Sequence, residues 1–509
     1  MTPYPAAPFS SSRQRFDTLV GTLSGDETSQ LDHADLEQLI DGQGRELLRC
    51  LMQDHLDLRS EREKAVVVPM RGKDGVERTE ARRSSRVLGT LFGDVGVQRI
   101  ALVKRGVSGG LRPMDARLNL PNGKYSNGVG RRLAWEVAQS SYDTAVANLR
   151  RSTGANIAKR QAEELAIGMV RDFEAFYLDQ PREPVSGESL LVLSFDGCGV
   201  VMRPEGLRSE TRKRASNARR RSTAESAAAV GARQRGVRKN RKRMAEVAAV
   251  YDLEAVPRAP EDIVRELRQS GPHRPRPRAK NKRVWASLER PVPDVLDEAF
   301  VEASLRDETG ERRWVAIVDG NEEQLRWLHA MAANVDVQLT IVIDFIHVLG
   351  YLWKAGKALE GDDPTVIEKW VSERSLRILQ GESSSVAAGI RRSATSRDLR
   401  GARRTAVDDC ARYLLNHRAY LRYHEYLRDG LPIASGVIEG ACRSLVRDRL
   451  DITGARWGLP GAEAVLKLRS LRASGDLDLY LDFHARRELE RNHLDRFDES
   501  ELAELRRAA

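Results

Sequence analysis

The chain has 509 residues, a formal net charge of +10 and a sequence pI near 9.5, with 41% hydrophobic and 31% charged residues. That length suggests three or four domain-sized units, and the basic excess points to a polyanionic partner such as nucleic acid. Four widely spaced cysteines (Cys50, Cys198, Cys410, Cys442) contain no CxxC pair, which argues against a zinc finger or a disulfide framework and for a reducing, intracellular setting.

Residues 1–30 are rich in Ser, Pro and Thr and are expected to fray; Met1 to Phe16 lacks the pattern of a signal peptide. From Leu31 to Leu58, Leu36, Leu39, Ile40, Leu47, Leu48 and Leu51 recur at helical spacing. A hairpin-like stretch from Val66 to Val103 follows, with strand alternation over Val95–Val103. Ala134–Leu149 and Ile157–Tyr177 read as two helices around a Ser152–Asn156 turn. That shape suits a helix-turn-helix with Lys159, Arg160 and Gln161 opening the second helix, and equally two helices of an ordinary bundle. Residues 31–185 are thus expected to be a mostly helical DNA-binding region.

Short apolar runs of strand length then come at Leu190–Phe195, Ala245–Tyr251, Val284–Leu288, Trp314–Val318 and Gln338–Ile343, with helical runs at Val292–Leu305 and Glu322–Asn334. This order predicts an α/β architecture with a mixed sheet. Beyond Ile343 only helical patterns follow, so a helical insertion over 361–430 is expected before a last core segment, 431–475, and a helical tail, 476–509. The longest apolar stretch, Leu339–Trp353, is broken by Asp344 and His347 and is too short to span a bilayer. A soluble, cytoplasmic, nucleoid-associated protein is the expectation.

Between Arg203 and Arg243 the composition shifts: 15 Lys or Arg face three Glu. Arg212, Lys213, Arg214, Arg219, Arg220, Arg221, Arg238, Lys239, Arg241 and Lys242 are the candidates here for phosphate contact, unless the run is only a solvated or targeting segment. A second basic stretch, 272–283, is proline-rich and reads as an extended arm.

Three apolar runs end on an acid: Phe195-Asp196-Gly197, Val318-Asp319-Gly320 and Val437-Ile438-Glu439-Gly440. Two strand-end Asp residues and a Glu on a late helix suit a site for two hard cations, because Mg²⁺ takes a few carboxylates and keeps several waters. Each acid also has a structural reading. Asp319-Gly320-Asn321 is a good helix start, with Asn321 as cap and Gln324 closing a capping box, and Glu439 is spaced to pair with Arg443. Asp344 and His347 share a helix face; they read as a pair buttressing the site, with Asp344 the substitute for Asp319 as second acid. Trp457, in Gly454-Ala455-Arg456-Trp457-Gly458, either stacks on an unpaired base or anchors its loop. Cys198 reads as a core filler. Phe195-Asp196-Gly197 also suits a haloacid-dehalogenase-type phosphatase, but Ser194 stands where that chemistry needs its nucleophilic Asp.

These segments, with Pro113-Met114-Asp115, Leu120-Pro121, Ile343-Asp344-Phe345-Ile346-His347-Val348, Leu352-Trp353-Lys354-Ala355 and Ser435–Gly440, resemble the bacterial insertion-sequence transposases of the Kra-four family, relatives of the Mutator-like DDE transposases. The resemblance covers roughly residues 85–475. It implies an RNase H-like catalytic core (first part 186–360) with an all-α insertion before the final acid. It also implies Asp196, Asp319 and Glu439 as Mg²⁺ (or Mn²⁺) ligands, Asp344, His347 and Trp457 in support, and double-stranded DNA as partner of a dimer or larger assembly. The basic segment after Asp196 is expanded relative to that pattern. A structure-specific nuclease without strand transfer and a non-catalytic DNA-binding protein are the alternative expectations.

Overall fold

The computed structural model describes residues 8–65, 69–182, 185, 187–216, 241–268, 277–452 and 454–501. The chain separates into two compact units, residues 1–178 with 476–509, and residues 179–475. Among the described residues no helix is long and apolar enough to cross a membrane.

The first unit opens with α1 (Ser10–Leu23), α2 (Asp26–Ser29) and α3 (His33–Ala65). The expected frayed start is instead helical from Ser10, because α1 docks on α3: the Ser12 amide donates to Asp54 at 2.9 Å and Arg15 to Gln43 at 2.6 Å. A short ladder, β1 (Met70–Arg71) with β2 (Glu77–Arg78), precedes a long antiparallel ribbon of β3 (Glu80–Thr90) and β4 (Gly93–Val103), paired from Glu80↔Val103 to Thr90↔Gly93. The alternation of β4 is explained by its faces: Val95 and Val97 join Leu56 of α3 with Leu88, Met114 and Leu120 in one cluster. Ile100 and Leu102 point the other way into a cluster with Leu494 and Phe497 from the end of the chain.

Five helices follow: α4 (Pro113–Arg117), α5 (Asn127–Gln139), α6 (Tyr142–Ser152), α7 (Lys159–Met169) and α8 (Phe173–Asp179). The single helix expected over Ala134–Leu149 is divided, since the Ser141 hydroxyl accepts the Thr144 amide and starts α6 afresh. The run expected over Ile157–Tyr177 likewise stops at Met169 and resumes at Phe173. The turn between α6 and α7 is wedged on the ribbon: the Gly154 amide donates to Leu91, and a Cβ there would lie 2.5 Å from the Phe92 backbone. The C-terminal helix, Leu477–Asn492, returns to this unit. Tyr480 donates to the Met169 carbonyl, and His484 and Arg491 both meet the buried Asp172.

The second unit holds a five-stranded mixed sheet, as the strand-length runs predict. In chain order come β5 (Leu190–Val201), α9 (209–216), β6 (Lys242–Leu253), α10 (Pro260–Leu267), β7 (Lys280–Ser287), α11 (Val292–Arg306), β8 (Trp314–Val318), α12 (Glu322–Asn334) and β9 (Leu339–Ile343). The order across the sheet is β7-β6-β5-β8-β9, antiparallel over the first three and parallel over the last three. Every residue of β8 and most of β5 is buried, which is why both read as continuous apolar runs rather than alternating ones. Of the extended basic arm expected at 272–283, residues 272–276 lie outside the described residues and 280–283 form the start of β7, whose outer edge is sealed by α20: Ser474 meets the Val284 amide and Glu463 the Leu288 amide. Beneath the sheet, Glu302 of α11 is 1% exposed and bonds Arg182, Arg283 and Arg306. Burial alone would raise its pKa, but the three guanidinium groups lower it to about 2.

After β9 the described chain is helical: α13 (Phe345–Glu360), α14 (Pro364–Leu379), α15 (Ser383–Ser396), α16 (Gly401–Asn416), α17 (Tyr423–Arg428) and α18 (Gly436–Ala441). A π-helical turn, Cys442–Arg447, leads into α19 (Asp448–Leu450) and then α20 (Leu459–Ser474).

Candidate active site

Asp196 does not end its strand. β5 continues to Val201 because β6 pairs with it along its whole length, from Leu190↔Leu253 to Val201↔Lys242. What stops near Asp196 is the parallel neighbour β8. The register Ser194↔Ile317, carried two residues on, sets Asp196 level with Asp319 just past the end of β8. Adjacent strands lie about 4.8 Å apart, so this register brings the two acids to one place on the sheet. Asp196 is half-buried; Oδ1 accepts the Gly197 amide at 2.7 Å and Oδ2 the Cys442 thiol at 3.3 Å.

The Asp319 loop is held from the helices that follow the sheet. Its carboxylate accepts the Asn321 amide at 2.9 Å, and Asn321 in turn caps α12 through the Glu323 and Gln324 amides. The capping box expected of Gln324 is not made: the Asn321 amide is used by Asp319, and Gln324 Oε1 is buried without a partner. Tyr413 at the end of α16 donates to the Asp319 carbonyl at 2.6 Å, and His417 Nε2 lies 2.9 Å from the Gly320 carbonyl. Gly320 has φ +92°, and a Cβ on it would sit 2.9 Å from His417 Nε2. Only glycine meets both conditions.

The helix that carries Glu439 is tied to the sheet at its start. Ser435 caps α18, its hydroxyl lies 3.0 Å from the Ser194 hydroxyl of β5, and its amide donates to Asp344 Oδ2 at 3.0 Å. Glu439 is exposed one helical turn before Cys442, whose thiol donates to Asp196. Arg443, the expected ion-pair partner of Glu439, lies 3.6 Å from Asp448 instead.

Asp344 is spent on structure. It caps α13 by accepting the Ile346 amide at 2.8 Å, and its other oxygen holds Ser435. Burial pushes its carboxyl pKa up, against the lowering pull of the Ser435 and Ile346 amides. His347 is exposed and meets Asp344 through its backbone amide, so the expected side-chain pair gives way to a helix cap. Trp457 is 9% exposed; its indole N–H donates to the Leu450 carbonyl and Arg449 stacks on its ring, while its backbone pairs with Val201 and Arg203. It anchors its loop to the end of β5 and offers no face to a base.

Two groups escaped the sequence reading. Glu246 of β6 stands opposite Gly197, and its pKa is raised first by burial and then by Asp196, Glu323 and Asp319, with Arg208 opposing. Its only sequence signal is an acid inside the apolar run Ala245-Glu246-Val247. The second is the thiol pair. Cys198 is buried as a core filler is, yet it faces Cys442, and donor atoms of Asp196, Cys198 and Cys442 lie within 4.8 Å of one another. Contact with Cys442 lowers the Cys198 pKa, while the same contact and burial raise that of Cys442.

Of the basic candidates, Arg212, Lys213 and Arg214 are exposed on α9, with Arg212 bonded to the Glu205 and Leu207 carbonyls. Arg241 is half-buried and Lys242 lies 3.2 Å from Asp451. Arg219, Arg220, Arg221, Arg238 and Lys239 lie outside the described residues. In the first unit, Lys159 is paired with Asp143 and Arg160 with Glu164, both on the exposed first turn of α7. Compared with known proteins, the sequence matches no family model and no curated protein.

Proposed function

We propose that this protein is a DDE transposase of an insertion sequence, one that binds its element's terminal inverted repeats, cleaves a strand and transfers the freed 3′-OH to target DNA. One observation carries the reading: Asp196 on β5 is level in register with Asp319 just past the end of its parallel neighbour β8, and Cys442, in the turn that follows the Glu439 helix, donates to Asp196. An RNase H-like core is supported by the mixed sheet, and an insertion by the helices α14 to α17 between β9 and Glu439.

The donor set suits Mg²⁺ or Mn²⁺. Asp196, Asp319 and Glu439 offer hard oxygen ligands, and Glu246, whose pKa is raised first by burial and then by Asp196, Glu323 and Asp319, is a further carboxyl beside Asp196 and Asp319. Bound there, the ions would supply activation of the attacking oxygen and stabilisation of the leaving one. The residues around them do the positioning: Asp344 and Ser435 fix the entry of the Glu439 helix, and His417 and Tyr413 fix the Asp319 loop. Exposed cations on α9, and the basic run after it, supply phosphate contacts with a steep salt dependence.

The test is a Mg²⁺-dependent cleavage and joining assay on DNA carrying the element's own ends, with Asp196→Ala and Glu439→Ala beside the wild type. Loss of both reactions with end binding retained is expected. Cleavage without joining identifies a nuclease, and full activity in Glu439→Ala sinks the assignment of the third acid.

A further inference from the structure

The helical hairpin at the start of the chain carries an apolar stripe that the described residues leave about half exposed. On α1, Phe16, Leu19, Val20 and Leu23 follow the i, i+3, i+4, i+7 spacing of one helix face; on α3, Leu36, Leu39, Ile40, Leu47, Leu48 and Leu51 continue it. Ser12 on Asp54 and Arg15 on Gln43 run α1 antiparallel to the stretch 43–54 of α3. Among the described residues from 8 to 51, only Ser12 and Thr28 are buried. Phe16 is 53% exposed, Leu48 45%, Val20 44% and Ile40 43%, with Leu51, Leu23 and Leu31 close behind. Helices of this kind draw their stability from burying the apolar face, and these two bury little of it against each other.

We propose that this hairpin is where a second copy of the chain docks, two hairpins closing antiparallel about a two-fold axis into a four-helix bundle. Charge selects the class of occupant. Between residues 26 and 46, seven carboxylates face one arginine, in a chain whose net charge is +10. That segment repels DNA and anionic membrane alike, leaving protein as the partner. Charge also selects the orientation, because a parallel pairing would stack the two acidic ends and an antiparallel one separates them. The seven most exposed side chains present on the order of 500 Å² of apolar surface; with the half-buried leucines beside them this approaches the ~800 Å² that a stable interface takes from each partner. A single stripe that must cover itself is met by a two-fold, self-complementary contact. Only the benefit of pairing, that two element ends are held together, rests on the transposase reading.

The test is the mass of the full chain in solution, by light scattering and sedimentation at about 10 μM, a range where a specific dimer of ordinary affinity is populated. The wild type is expected at twice 57.0 kDa. Val20→Glu with Leu48→Glu should weaken association at least about 100-fold and yield monomer, whereas Leu178→Glu, at another exposed leucine, should leave the dimer intact. Leu51→Glu alone, with helix content followed by circular dichroism, serves if the double variant misfolds. A monomeric wild type, or a dimer that survives all three stripe substitutions, overturns the proposal. No DNA is involved, so an inactive dimer leaves this inference standing while it counts against the transposase.

Discussion

Asp344→Ala separates a positioning carboxylate from a metal ligand. Asp344 is 4% exposed, and both of its oxygens accept backbone amides, one from Ile346 and one from Ser435. Removing the cap of α13 costs about 1 kcal/mol. Stranding the Ser435 amide, which is buried, costs roughly 1–3 kcal/mol more, so the sum is about 2–4 kcal/mol. A unit of this size loses roughly 2–4 °C of Tm for each kcal/mol, which puts the expected drop at about 5–15 °C. Asp344→Asn keeps one acceptor and should lose about half as much. Asp319→Asn, at a half-buried loop position, should shift Tm little and abolish metal-dependent cleavage. The assay is thermal unfolding by circular dichroism, paired with cleavage measured well below the lowered Tm. The reasoning is refuted if Asp344→Asn abolishes cleavage with Tm unchanged while Asp319→Asn stays active, for Asp344 would then be the second acid.

Glu302 sets the acid limb of stability. Its folded pKa is about 2 against an ordinary 4.5, so its contribution is fully present above pH 4.5 and is lost as pH falls toward 2. The shift corresponds to about 3 kcal/mol. Glu302→Gln should therefore lose about that much at pH 7 and flatten the fall in stability between pH 4.5 and 2 in urea titrations; an unchanged acid limb would count against the buried arginine cluster as its cause. Gly320→Ala places a Cβ against His417 at positive φ, with backbone strain of roughly 1–2 kcal/mol. It should depress cleavage and spare DNA binding, and the added substitution His417→Ala should recover part of the loss; equal activity in Gly320→Ala and wild type would show that the Asp319 loop tolerates the shift.

The five strands were legible because buried strands are written as unbroken apolar runs, and the start of α12 because Asn321 is an efficient cap; the late helix, expected from Ile433, begins only at Gly436, where Ser435 caps it. The break at Ser141 was less visible, since a serine inside a periodic run signals a cap only when its hydroxyl turns to the backbone. The early helix α1 was misread from its composition: Ser and Thr near a terminus suggest fraying, but a docking partner forty residues on decides otherwise.

At the site, the sequence by itself determined which acids follow apolar runs and where positive charge gathers. It could not determine that Asp196 stands mid-strand, because the end of a strand depends on the length of its neighbours: β8 stops at Val318 while β6 runs on. Nor could it determine that Asp344 grips Ser435, that Cys442 meets Asp196, or that Glu246 joins the carboxylates. Those contacts join residues about 50 to 250 positions apart, and only strand register and helix packing set the distances between them.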